Sequence, residues 1–216
     1  MENKQMDMGA ELKRGWQLFQ ANMSLLVIAG LIAMVLSIVT CGILSGPLQA
    51  GLFMILARLI SNDPQKPQPG DVFKGFDFFV QTLLLLVIMI VISLLLALIP
   101  IVGQLASFVT SSVMMWALLF IVNQKLTAID ALKKIFGDLG RGEFIMPLLY
   151  GAIVCLISGL GVLACGIGLI FTVPLAYAMM ASAYQTVYGS QDGNGNEPDA
   201  EIIEPEVVPP SLDETL

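Results

Sequence analysis

Long, uninterrupted apolar runs constrain this chain more than anything else in it. Residues 83–99 hold one polar side chain, Ser93, and residues 109–122 hold only Thr110, Ser111 and Ser112. A helix needs about 20 mostly apolar residues to cross a hydrocarbon core roughly 30 Å thick. The runs lack the alternating polarity of barrel strands. Charged residues make up 12% of the chain, about half the share a water-facing domain carries. The pattern predicts an all-α, polytopic membrane bundle of six transmembrane helices, over 23–40, 45–61, 80–99, 104–123, 144–163 and 167–188.

The six runs pair into three hairpins. Their tight turns are Thr40-Cys41-Gly42, Pro100-Ile101-Val102-Gly103 and Ala164-Cys165-Gly166-Ile167-Gly168, each punctuated by Gly or Pro. None carries a charge. All ten Lys and Arg residues lie at the opposite ends, in the N-terminal segment and the two longer loops. Because Lys and Arg beside membrane helices stay cytoplasmic, both termini are expected in the cytoplasm. The first apolar run follows a polar stretch and has no small-residue cleavage site, so no cleavable signal peptide is expected.

An amphipathic segment precedes each hairpin. Leu12, Trp16 and Phe19 share one face of the first, with Lys13, Arg14, Gln17 and Gln20 opposite. Val72, Phe76 and Phe79 repeat the spacing, with Asp71, Lys74 and Asp77 opposite; Leu132, Phe136 and Leu139 do so again, opposite Lys133, Lys134 and Asp138. Thr127 and Asp130 match a capping box at the start of the third. Aromatic residues on one face and cations on the other describe a helix lying in the headgroup region, which makes Trp16, Phe19, Phe76, Phe79 and Phe136 candidate membrane-interface anchors. The segments recur every sixty residues, as Lys13-Arg14-Gly15-Trp16, Phe73-Lys74-Gly75-Phe76 and Lys133-Lys134-Ile135-Phe136. This suggests three parallel pseudo-repeats of interfacial helix, span, turn, span, over about 9–62, 69–124 and 127–189.

Residues 190–216 hold eight acids and no base, with prolines and glycines between them, and are expected to be a disordered cytoplasmic tail. The other 189 residues hold nine acids and ten bases, so no concentrated basic surface for nucleic acid is present. With no His and no Cys-x-x-Cys pair, neither a Cys/His zinc site nor any other cofactor is expected. Cys41 and Cys165 sit at the outer turns, where a disulfide would depend on the neighbouring of hairpins one and three.

No Asp, Glu, Lys or Arg falls near the middle of a span. Proton-coupled transport and intramembrane hydrolysis both need such groups, so no enzyme is expected. Ser107, Thr110 and Ser111 on the fourth run are the candidate polar lining of a pathway, though such hydroxyls more often bond a carbonyl one turn back. Small residues at helical spacing, Gly151, Cys155 and Gly159 among them, suit close packing within the bundle or in a homo-oligomer.

The motifs Gly15-Trp16-x-x-Phe19-x-x-Asn22, Gly46-Pro47-Leu48-x-Ala50-Gly51-Leu52 and Gly70-Asp71-Val72-Phe73-Lys74-Gly75-Phe76 carry a resemblance, joined by Pro174-Leu175-Ala176-Tyr177 and Ala183-Tyr184 through Tyr188-Gly189. Over about residues 9–189 the chain resembles bacterial multi-pass inner-membrane proteins without an assigned activity, loosely related to the membrane domain of glycerophosphodiester phosphodiesterases. The resemblance implies a bacterial inner-membrane location and supplies no catalytic residue. Mitochondrial carriers also have parallel two-span units, but their Pro-x-Asp/Glu-x-x-Lys/Arg signature is absent. The expectation is a non-enzymatic membrane scaffold or accessory subunit that meets the lipid bilayer and a protein partner through its bundle or acidic tail. The alternative is a passive conduit or lipid-handling protein.

Overall fold

The computed structural model describes residues 7–61, 63–98, 100–163 and 168–189. They form eight α-helices and one 3-10 helix, with no strand among them. In order these are α1 (Met8–Ala21), α2 (Met23–Val39), α3 (Ser45–Ile60), the 3-10 helix (Pro69–Phe78), α4 (Phe79–Ala97), α5 (Pro100–Gln124), α6 (Ala128–Gly140), α7 (Ile145–Leu163) and α8 (Leu169–Tyr188). Each of the six apolar runs folds as one helix: α2, α3, α4, α5, α7 and α8. By length and composition, Pro69–Ala97 taken through and Ser107–Gln124 suffice to cross a membrane, and up to four crossings result if two bent helix pairs are each one span. With 17 and 16 residues, α2 and α3 are short of the roughly 20 a spanning helix needs.

Those bent pairs are α1 with α2, at 90°, and α6 with α7, at 114°. Asp7 starts α1 by accepting the N–H groups of Gly9 and Ala10 at 2.9 and 3.2 Å. The chain turns at Asn22, whose side-chain amide donates to the Leu18 carbonyl at 3.1 Å. Thr127 opens α6 as expected, accepting the Asp130 N–H at 3.2 Å and donating to its carboxylate at 2.7 Å. The bend after α6 passes through Gly142, whose φ of 79° is one that side-chain-bearing residues seldom adopt.

The amphipathic segments close a cycle. α1 packs on α8, the 3-10 helix on α3 and α6 on α5, so each lies on the second helix of the preceding hairpin, the first segment wrapping back to the last. The first helices obey the same order: beyond their own partners, α2 touches α8, α4 touches α3 and α7 touches α5. The second helices α3, α5 and α8 meet in the middle. Of the most apolar stretch of Pro69–Ala97 only 17% is buried inside the protein, against 50% for Ser107–Gln124, which places α4 outside and α5 inside. Phe53, Trp116, Phe120 and Tyr184 fill the centre without exposure. The outer helices present Ile28, Val35, Leu94, Leu95, Leu149 and Leu156 outward.

Three expectations need correction. The second amphipathic segment is a 3-10 helix of ten residues rather than an α-helix. At three residues per turn, positions i and i+3 eclipse. Phe73, Phe76 and Phe79 therefore stack at successive ring separations of 6.2 Å, Asp71, Lys74 and Asp77 form a second row, and Val72 and Gly75 a buried third. The second turn is shorter than expected, because Pro100 begins α5 rather than opening a turn that runs to Gly103; proline suits a first helical position, whose N–H needs no partner. The buried stripe of α1 and α6 is also rotated by one residue. Gly15 and Ile135 face the neighbouring helix, whereas Trp16 and Phe136 stand at the edge, 44% and 56% exposed.

Candidate functional site

Polar side chains gather in two kinds of place, a lateral groove and a set of clamps at the bases of the helices. The groove, of about 630 Å³, opens between α4 and α5 and reaches down to α3. Gln49 of α3, Ser93 of α4 and Thr110 and Ser111 of α5 supply its polar atoms; the rest of its wall is apolar. Gln49 lies one turn after the start of α3 and Ser93 one turn before the end of α4, whereas Thr110 and Ser111 lie near the middle of α5. None of these four side chains has a hydrogen-bond partner among the described residues. No acid or base lines the groove. Thr110 and Ser111, two of the three expected lining residues, are thus brought together, while Ser107 is exposed one turn away and outside the lining.

The clamps hold the amphipathic segments to the bundle. Glu11 is 2% exposed, a burial that sequence reasoning missed. Its carboxylate accepts from Ser182 at 3.1 Å and Thr186 at 3.0 Å on α8, and pairs with Arg14 at 2.9 Å. A buried carboxylate needs such partners, because isolation in a low dielectric is costly. In the next segment Asp71 pairs with Lys74 at 2.8 Å and with Arg58 of α3 at 3.0 Å, and Arg58 also holds Asp63 at 2.8 Å. The Lys74 hydrogen bond, then the Gln68 N–H and the Arg58 charge, hold the Asp71 carboxyl below the usual range. Arg58 does the same for Asp63. In the third segment Ala131 stands where the acid was; Lys134 donates to Gln124 of α5 at 2.8 Å and lies 4.7 and 5.2 Å from the Phe120 and Tyr188 rings.

Backbones approach closely at the same joints. A Cβ on Gly51 would collide with the Val72 carbonyl, and one on Gly75 with the Pro47 carbonyl. A Cβ on Gly15 would sit 2.5 Å from Met179 Cα. Between α5 and α7, the Trp116 indole donates to the Pro147 carbonyl at 2.9 Å and Ser112 to that of Leu148 at 3.0 Å. The acid recurs at Glu11 and Asp71 but not at Ala131, whereas the sixty-residue spacing of Arg14, Lys74 and Lys134 carries a cation through all three segments.

Of the expected interface anchors, Trp16 and Phe136 are exposed and Phe76 and Phe79 half-buried, whereas Phe19 is 4% exposed and packs the core. That correction follows from the one-residue rotation of α1. Phe73, 49% exposed, joins the outward set. Cys41 is exposed at the first turn with φ 50°; Cys165 and the acidic tail over 190–216 lie outside the described residues. Gly159 of α7 has open space where a Cβ would stand. No protein-family model, no curated protein and no solved structure matches this chain.

Proposed function

We propose that this chain is a six-span integral protein of a bacterial inner membrane, with both termini cytoplasmic, that acts without catalysis as a scaffold or accessory subunit for a protein partner. The observation that carries this is the division between a filled centre and an unpartnered apolar exterior. Trp116, Phe120 and Tyr184 close the middle of the bundle, which disfavours a passive conduit, while α4 leaves most of its apolar surface for lipid or another helix. Three parallel hairpins are supported by the cyclic packing and by the recurrence of Arg14, Lys74 and Lys134 at matching positions of the three segments. Purification of the full chain in nanodiscs from its native membrane, followed by mass spectrometry, is expected to return a stoichiometric protein partner. Recovery of the chain with lipid alone would reject the accessory-subunit reading. Removing 191–216 distinguishes a partner held by the tail, which would be lost, from one held by the bundle.

A second reading, handling of a membrane lipid, has the groove in its favour. Its four polar side chains have no hydrogen-bond partner among the described residues, and burying such groups in an apolar medium without one is costly.

A further inference from the structure

We propose that α6 is a releasable lid over the end of the α5–α8 contact opposite the hairpin turns, latched there by Lys134, while α1 and the 3-10 helix are fixed in place. The three segments sit in equivalent joints but are held differently. In the first two, glycine lets backbones meet: a Cβ on Gly15 would stand 2.5 Å from Met179 Cα, and one on Gly75 would collide with the Pro47 carbonyl. A carboxylate then crosses each of these joints, Glu11 to Ser182 and Thr186 of α8 and Asp71 to Arg58 of α3. In the third joint Ile135 replaces the glycine and Ala131 the acid. The Ile135 side chain, fully buried, holds the α6 backbone off its neighbour. The apolar contact of Ala128, Ala131, Leu132 and Ile135 has no preferred direction. Two ion pairs of α6, Asp130–Lys133 at 3.8 Å and Asp138–Arg141 at 3.7 Å, stay within the helix.

Lys134 crosses the third joint instead. Its ammonium donates to Gln124 of α5 at 2.8 Å and stands over the corner made by the Phe120 and Tyr188 rings, which meet edge to face at 4.8 Å. The helix beyond it is built to loosen. Gly137 and Gly140 have no neighbouring atom within 4 Å of where a Cβ would stand, so packing does not call for them, and each weakens a helix relative to alanine. Positive φ angles bound α6 on both sides, 53° at Lys125 and 79° at Gly142, whereas α1 runs into α2 through Asn22 alone. The start of α6 is pinned: Thr127 caps it, and the Ala128 N–H donates to Gln81 of α4 at 3.0 Å. Motion therefore belongs to the half over 133–140, and lifting that half uncovers the Phe120 and Tyr188 rings.

The test is amide hydrogen exchange, read by mass spectrometry on the full chain in nanodiscs. After correction for intrinsic rates, amides over 133–140 are expected to exchange about tenfold faster than those over 12–19 of α1, as in a locally opening element. Lys134→Met keeps an unbranched apolar stem and removes the charge. It should speed exchange over 133–140 about fivefold further and leave 12–19 unchanged. Gly137→Ala combined with Gly140→Ala should slow exchange over 133–140 about tenfold. Equal protection of α1 and α6 in the unaltered chain overturns the lid. Exchange over 133–140 unmoved by Lys134→Met overturns the latch. An equal rise in both segments means that Lys134 supports the whole fold, which overturns both.

Discussion

Positions 15, 75 and 135 carry the joints between hairpins. Gly15, Gly75 and Ile135 face the neighbouring helix, and the aromatic residues beside them, Trp16, Phe76 and Phe136, are left toward the edge. Gly75→Ala places a methyl on the Pro47 carbonyl and the Gly51 backbone, neither of which yields as a side chain would. Overpacking of this kind costs about 1–3 kcal/mol, so the variant should unfold at lower temperature in detergent; an unchanged midpoint would contradict the backbone contact. Asp71 adds a pH dependence. Its carboxyl is held below the ordinary 3.8, so its contribution is present above that value and lost as pH falls through the lower, folded one. Thermal unfolding should show stability dropping as pH falls below about 4, with a smaller drop in Asp71→Asn.

The helices themselves were legible because long apolar runs leave a chain few alternatives. Every run became one helix, with α3 ending at Ile60, one residue before the expected end, and α5 starting at Pro100, four before the expected start. Hydrophobic period marked the amphipathic segments but not their orientation. Gly15 and Gly75 have no side chain to register on a hydrophobic scale, and yet they face inward because backbones approach there. The 3-10 winding was hidden for the same reason: residues 72, 76 and 79 fit a period of 3.6, whereas Val72 and Gly75 follow the period of three that packs on α3. In the groove, Thr110 and Ser111 could be named from polarity alone, but Gln49 and Ser93 join them only through the neighbouring of α3, α4 and α5. Docking of α1 should be separable from the rest. Glu11→Leu leaves Ser182 and Thr186 without their carboxylate, so trypsin should cut at Lys13 and Arg14 several-fold faster, as expected for a locally released element. An equal cleavage rate would mean that Gly15 and Phe19 hold α1 alone.

The whole molecule is ordered by which helix follows which around a ring. Its orientation is open to a direct check. In a chain whose Cys155 and Cys165 are replaced by Ala, exposed Cys41 should react with a membrane-impermeant maleimide in intact cells. Reaction only after permeabilisation would invert the proposed topology. The seam of the ring, α1 on α8, joins the first described helix to the last. During synthesis α1 therefore leaves the ribosome long before the surface that receives Glu11 exists. Until α8 is made, that carboxylate has no buried partner and must stay hydrated. The making of α8 thus gives α1, synthesised long before it, the place where its carboxylate settles.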